Sequence, residues 1–284
     1  MDAKITFKSK PLSLAGRNIR EGMRAPDFTA TDPNLKKVRL SDYKGSVRVV
    51  TSFLSLDTPV CDLQVKEFNK QAKELSEGVV IIGVSQDLPF AQKRFCESNH
   101  IDKVITLSDY MTNSFGINYG LLIRELRLLA RAVIIIDKDD VIRYVQVVEE
   151  ATHAPDYKAA MDALKAVTES PAIPASGVPA PSRCLPCEAG AKPLAKDRAE
   201  KLLGNIKGWE LLEGKKIRKT FKFKDFVEAS YFVDLAGIVA EEQGHHPDMC
   251  IYYNKVTVAL TTHAIGGLSD NDFIMAGMID GLQA

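Results

Sequence analysis

The chain carries no net charge: its 284 residues hold 37 lysines and arginines against 37 aspartates and glutamates, and no basic run stands out. A positive field of the kind that draws in nucleic acid is therefore missing, and small, weakly charged substrates fit the composition better than a polyanion. No stretch approaches the roughly 18 consecutive apolar residues of a membrane helix. The start, Met1-Asp2-Ala3-Lys4-Ile5-Thr6-Phe7, has no apolar run of signal-peptide length either. The expectation is a cytoplasmic protein with neither membrane nor nucleic acid among its partners. Cysteine is scarce and odd in number, at positions 61, 96, 184, 187 and 250, which argues against a secreted disulfide framework and for reactive or metal-binding thiols. Internal repeats are also absent.

What is present reads as two folded halves. A length of 284 residues with 45% hydrophobic and 26% charged content suits a soluble protein of two domains. Between Thr168 and Arg183 the chain reads TESPAIPASGVPAPSR, with four prolines and no hydrophobic periodicity. Such a segment prefers extended, semi-rigid conformations and serves as a linker. The expected division is 1–167, a linker 168–192 that ends on Cys184-Leu185-Pro186-Cys187, and 193–284.

In the first half, strand-like runs at 47–53, 79–85, 104–107, 132–137 and 141–148 alternate with helical patterns, which predicts an α/β fold. One helix places Val65, Phe68, Ala72 and Leu75 on a common face, a second runs from Pro89 to Asn99, and a third from Asp156 to Val167. Residues 79–85 are almost all Val and Ile, as in a central strand covered on both faces. The second half predicts a helix over 196–205, strands at 209–212 and 217–223, a long helix from Asp225 to Gln243, then two strands and a helix. Alternation through 216–224 gives that strand one wet face, so the expectation is a small α+β domain with an antiparallel sheet covered by helices.

Cys61 lies just after the first buried strand, in Ser55-Leu56-Asp57-Thr58-Pro59-Val60-Cys61-Asp62. Thr58 reads as an N-cap and Pro59 as the first helical residue. Cys61 then falls in the first turn, among unpaired N–H groups at the positive end of the dipole, a setting that favours thiolate over thiol. Asp57 and Asp62 oppose it. Together with Leu88-Pro89-Phe90-Ala91-Gln92-Lys93-Arg94-Phe95-Cys96, Thr106-Leu107-Ser108-Asp109-Tyr110 and Leu128-Leu129-Ala130-Arg131-Ala132-Val133, this stretch resembles the thiol peroxidase branch of the peroxiredoxins. The resemblance runs through nearly all of residues 1–167.

The resemblance implies a thioredoxin-like fold in which Cys61 attacks the peroxide and becomes a sulfenic acid. Cys96 then resolves it to a disulfide within one chain. Arg131 would hold the thiolate and polarise the peroxide bond. The Thr58 hydroxyl would meet the peroxide, although capping alone suffices to explain it. No cofactor is implied; an external thioredoxin-type dithiol would reopen the disulfide. Disulfide formation requires the Cys61 turn to unwind. Peroxiredoxins generally carry a proline where Leu54 stands, which bears on pocket shape.

His245, His246 and His263 are three of the chain's five histidines and fall within nineteen residues. With Gly208-Trp209, Glu241-Glu242-Gln243-Gly244-His245-His246-Pro247, Tyr253-Asn254-Lys255-Val256, Thr261-Thr262-His263 and Gly266-Gly267-Leu268-Ser269-Asp270-Asn271-Asp272, they resemble the pterin-4a-carbinolamine dehydratases over about 193–280. The implied reaction expels hydroxyl from a 4a-hydroxytetrahydropterin, giving the quinonoid dihydropterin. It needs an acid for the leaving oxygen and a base for a ring N–H. Imidazole titrates near neutrality and serves either role. His246 or His245 is the expected acid and His263 the partner base, with Asp272 and Tyr253 at the substrate. Asp272 also completes a capping box with Ser269. Adjacent histidines diverge and no histidine pair has helical spacing, so no metal is expected.

Two alternatives stay open. The second half could be a non-catalytic dimerisation or partner-binding module in a peroxide sensor. The Cys184 and Cys187 pair could reduce the Cys61–Cys96 disulfide in cis, form half a zinc site, or be structural. Both families commonly self-associate, so a homo-oligomer is expected.

Overall fold

The computed structural model describes residues 5–73, 75, 78–169, 184 and 192–282. The chain separates into two compact units, Met1–Ala180 and Pro181–Ala284. The predicted linker and Cys187 lie largely outside the described residues.

In chain order, the first unit contains β1 (Ile5–Phe7), β2 (Lys10–Leu12), β3 (Leu14–Ala15), β4 (Thr29–Thr31), β5 (Lys37–Arg39), β6 (Val47–Ser52), α1 (Pro59–Ala72), β7 (Val79–Ser85), α2 (Pro89–Asn99), β8 (Val104–Ser108), α3 (Ser114–Asn118), β9 (Leu122–Ile123), β10 (Leu128–Leu129), β11 (Ala132–Ile136), β12 (Ile142–Val147) and α4 (Tyr157–Glu169). A seven-stranded mixed sheet runs β12-β11-β6-β7-β8-β4-β5, with β7 in the middle as its Val/Ile run predicts. β6, β7 and β8 are parallel, joined by α1 and α2 as crossovers. β11 runs antiparallel to β6 with Ala132 opposite Ser52. That register matters for the site: the residue before β11 arrives at the end of the sheet where β6 leaves toward α1.

α1 buries Val65 and Phe68 in an apolar cluster that also holds Phe53, Leu54, Leu56, Ala160 and Leu164, with Ala72 and Leu75 partly buried at its edge. Leu75 lies beyond the end of α1. At roughly 2 kcal/mol for each large apolar side chain taken fully out of water, this face contributes far more than the intrinsic propensity of the helix. The short strands β1 to β5 and the single-turn helix α3 were not foreseen.

The second unit contains α5 (Lys196–Leu203), β13 (Glu210–Leu212), β14 (Lys216–Lys222), α6 (Phe226–Gln243), β15 (Asp248–Tyr252), β16 (Lys255–Leu260) and α7 (Asp270–Asp280). Its sheet is antiparallel throughout, ordered β13-β14-β16-β15. Ile217, Phe221, Val256, Val258 and Leu260 face inward, against Phe232, Leu235, Ala236 and Val239 of α6. Helix ends follow their signals. The Asp225 carboxylate accepts from the Glu228 N–H at 3.0 Å, and α6 stops at Gly244 in the left-handed region (φ 62°).

Candidate active sites

Cys61 occupies the first turn of α1 and is fully buried. The Arg131 Nη2 donates to its sulfur at 3.3 Å and to the Ala151 carbonyl at 3.0 Å, while Nη1 donates to Gln64 Oε1. Arg131 is only 1% exposed. A permanent cation so placed gives any negative charge on the sulfur a direct partner in a dry setting. Gln64 completes the arrangement: it is fully buried, and its Nε2 donates to Thr51 Oγ1 at 2.6 Å and to the Ser52 carbonyl at 3.3 Å. The sequence reading missed it, although its place three residues after Cys61 puts a polar residue on an apolar helix face. Leu54 and Leu56 are buried with Cys61 in the same apolar cluster.

Two expectations need correction here. Thr58 is the N-cap by position, but its hydroxyl makes no capping bond; it turns back and donates to the Ser55 carbonyl at 3.0 Å. The Cys61 N–H is not free either, because it donates to the Thr58 carbonyl at 3.1 Å. The tight turn from Ser55 to Thr58 accounts for both. Asp62, expected to oppose a thiolate, pairs with Lys66 at 2.6 Å.

Cys96 sits in the third turn of α2, partly buried, with its sulfur 3.5 Å from Thr106 Oγ1 on β8. Burial pushes this thiol up from its ordinary value, Glu97 adds to the rise, and the Thr106 hydrogen bond opposes it. Cys61 and Cys96 are both free thiols.

In the second unit His245 follows the left-handed Gly244 and is buried, with Nε2 2.8 Å from Asp272 Oδ1. Asp272, with no exposed surface, also accepts at Oδ2 from Thr262 Oγ1 (2.8 Å) and from the Ser269 N–H (2.8 Å). The capping box of α7 is formed through Oδ2, while Oδ1 holds the imidazole, so the carboxylate is taken up by protein groups on both oxygens. His246 points out to solvent beside Glu241 Oε2 at 3.0 Å, and His263 is exposed at the start of a short 3-10 turn that follows Thr262. The structure therefore brings His245, Asp272, Thr262 and Ser269 together. Tyr253 is set apart. It is 70% exposed with φ 54° in the turn between β15 and β16, whereas His245 and His246 precede the other end of β15. Five residues of strand, roughly 16 Å, separate them along the hairpin. Within one chain Tyr253 does not reach the histidines.

Cys184 packs in this unit, 7% exposed, with its N–H donating to Gln243 Oε1 at 3.1 Å and its sulfur 3.7 Å from the Asn271 carbonyl. Among the described residues no group of three or more His, Cys, Asp or Glu side chains is placed to hold a metal ion. No described helix is long and apolar enough to cross a membrane.

A buried thiol on a helix start facing a buried arginine, carried on a sheet of thioredoxin type, defines a redoxin with a peroxidase site. Residues 20–161 match the redoxin family, and residues 192–282 match pterin 4 alpha carbinolamine dehydratase. A thiol peroxidase of Staphylococcus saprophyticus is 47% identical over 163 residues, which are 57% of this chain and 98% of that protein. The crystal structure of a peroxiredoxin-like protein from Aquifex aeolicus superposes with a TM-score of 0.55 at 39% identity, covering 58% of this chain and 97% of that one. A Brucella melitensis structure described as a transcriptional coactivator/pterin dehydratase covers 33% of this chain and all of its own at 33% identity, with a TM-score of 0.32. The chain belongs to the redoxin family, as a thiol peroxidase followed by a pterin carbinolamine dehydratase domain.

Proposed function

We propose that the protein is bifunctional, reducing hydrogen peroxide or alkyl hydroperoxides through residues 1–167 and dehydrating 4a-hydroxytetrahydropterin through residues 193–284, with 168–192 as the connecting segment. The observation that carries the first activity is the 3.3 Å contact between the Arg131 guanidinium and the Cys61 sulfur. Cys61 attacks the terminal peroxide oxygen, the O–O bond breaks, and the departing oxygen takes a proton to leave as water or an alcohol. Arg131 stabilises the charge that moves from sulfur to oxygen, and the Thr58 hydroxyl, whose proton goes to the Ser55 carbonyl, keeps its oxygen to accept from the peroxide. Cys96 then displaces hydroxide from the sulfenic acid to give the Cys61–Cys96 disulfide. A thioredoxin-type dithiol in the cytoplasm returns both thiols by exchange, so no bound cofactor is required.

In the second activity Asp272 fixes the His245 ring by Nε2, which leaves Nδ1 to take or give a proton. His245 serves as one member of the acid–base pair, and His246 and His263 at the accessible face are the candidates for the other. Self-association would be the way for Tyr253 to approach a histidine site.

Steady peroxide consumption with reduced thioredoxin, abolished in Cys61→Ser, tests the first activity. Dehydration of a synthetic carbinolamine, lost in His245→Ala, tests the second. Stoichiometric oxidation of Cys61 without turnover would refute the enzymatic reading of the first unit.

A further inference from the structure

We propose that Asp87 is a positioning residue: its carboxylate latches the loop in front of Cys61 to the segment that starts α2, and so sets how readily Cys61 and Cys96 meet. The inference rests on the peroxidase reading. Asp87 lies between β7 and α2, where Oδ1 accepts from Ser55 Oγ at 2.7 Å and Oδ2 accepts from the Leu56 N–H and from Ser85 Oγ, each at 2.8 Å. No ion pair to Asp87 occurs among the described residues, so its charge is met by these three donors.

From Ser55 the bonding continues into the site. The Ser55 carbonyl accepts both the Thr58 N–H and the Thr58 hydroxyl at 3.0 Å, and the Thr58 carbonyl accepts the Cys61 N–H at 3.1 Å. From Ser85 it continues toward the other thiol. Gln92 Nε2 donates to Ser85 Oγ at 3.0 Å and to the Leu107 carbonyl at 2.9 Å, and Gln92 stands four residues before Cys96 on the same helix. One carboxylate thus joins the turn that holds Cys61 to the helix that holds Cys96.

That link governs a competition. Cys61 is fully buried in the cluster that also holds Leu54 and Leu56, so its sulfur has to leave that packing before Cys96 can bond it. While the latch holds, the Cys61 sulfenic acid waits, and a second peroxide can add another oxygen to give sulfinic acid with release of water or alcohol. Once the latch opens, the Cys96 thiolate attacks the sulfenic sulfur. The S–S bond then forms, the S–O bond breaks, and hydroxide leaves as water after taking a proton.

The test is a peroxide titration of the full chain, with the Cys61 and Cys96 peptides analysed by mass spectrometry for disulfide against sulfinic acid. Loss of one hydrogen bond to a charged group corresponds to about a tenfold change in an opening equilibrium. Asp87→Ala, which removes the bonds to both Ser55 and Leu56, is expected to raise the peroxide concentration that gives half sulfinic acid by at least about that factor. Asp87→Asn should fall between Asp87→Ala and the native protein, because its amide can keep the Leu56 bond and donate to a serine hydroxyl. Ser55→Ala, which removes a donor without touching Asp87, should move in the same direction if Asp87→Ala does not fold. A native partition in these variants, alongside normal oxidation of Cys61, overturns the latch and leaves the peroxidase reading standing. Failure of the unsubstituted protein to form either product at Cys61 overturns both.

Discussion

Replacing Gln64 separates the packing of the peroxidase site from its electrostatics. In Gln64→Leu the side chain keeps its approximate volume, but Arg131 Nη1 loses its acceptor in a place where the guanidinium is 1% exposed. A hydrogen bond to a charged group is worth about 1.5–3 kcal/mol, and a buried donor left alone costs a comparable amount. Leucine recovers part of this by burying hydrocarbon, and Thr51 keeps its 3.2 Å bond to the Ala132 carbonyl. The net expectation is a loss of about 2–4 kcal/mol, read from the midpoint of urea unfolding of the first unit at unchanged slope. Catalysis should also fall, because the arginine fork is then held through Nη2 alone. About 1–2 kcal/mol of lost transition-state stabilisation is roughly a 5- to 30-fold drop in kcat/KM for peroxide. Gln64→Glu offers Arg131 a charged acceptor but places a second negative charge beside Cys61 and gives up both bonds to β6. It should therefore unfold later than Gln64→Leu while being no more active. If Gln64→Leu keeps kcat/KM within about twofold, Gln64 does not orient the arginine and the reasoning fails.

Asp272→Asn leaves one acceptor oxygen where the carboxylate has two, so His245 on one side and Thr262 with Ser269 on the other cannot both keep theirs; carbinolamine dehydration should fall by about 100-fold or more while second-unit stability drops by about 1 kcal/mol from the weakened cap, and dehydration at the native rate would dismiss the His245–Asp272 pair. The Ser9 N–H and the hydroxyls of Thr6 and Thr152 hold the Glu150 carboxyl far below the usual carboxylate range. A depressed native value stabilises the fold above the ordinary glutamate value of about 4.3 and ceases to do so as pH falls toward the native one, so Glu150→Gln should flatten the acid limb of the stability profile. Thr106→Val removes the one hydrogen bond that offsets burial at Cys96, and stopped-flow measurement should find disulfide formation slower with sulfenic acid formation unchanged. The double variant Cys184→Ser/Cys187→Ser should retain full turnover with thioredoxin; peroxide turnover without thioredoxin in the native chain, lost in this variant, would restore the cis-reductant reading.

Long, strongly patterned elements could be read directly from residue order. The run 79–85 is the central strand, Pro89 to Asn99 is a helix with those ends, and Asp225 and Gly244 bracket α6 where their cap chemistry places them. The pieces that escaped notice are short. β1, β3 and β9 have two or three residues, too few to display a period, and α3 is a single turn whose Phe115 and Gly116 N–H groups are taken by the Asp109 carboxylate from before the helix. The site shows the same division. Cys61 and Arg131 are seventy positions apart, and only the β6–β11 register brings them together. Family resemblance pointed to the pair, whereas local pattern could not. Residue type alone makes Thr58 a capping side chain, but the preceding turn decides where its hydroxyl goes.

The two thiols of the connecting segment illustrate how position limits chemistry. An exchange thiol must present its sulfur to the disulfide it attacks, and its reactivity depends on access and on the thiolate fraction. Cys184 does the opposite. Its sulfur and amide are taken up between the end of α6, through Gln243, and the start of α7, through Asn271. Those two residues stand two before His245 and one before Asp272, so the thiol buttresses the ends of the helices that carry the imidazole and its carboxylate. In that place a small polarizable side chain fills space beside a buried hydrogen-bond network, and a larger or charged one would force the helix ends apart. A packing role beside His245 and Asp272 accounts for the burial of Cys184, which a role as electron donor to Cys61 and Cys96 does not.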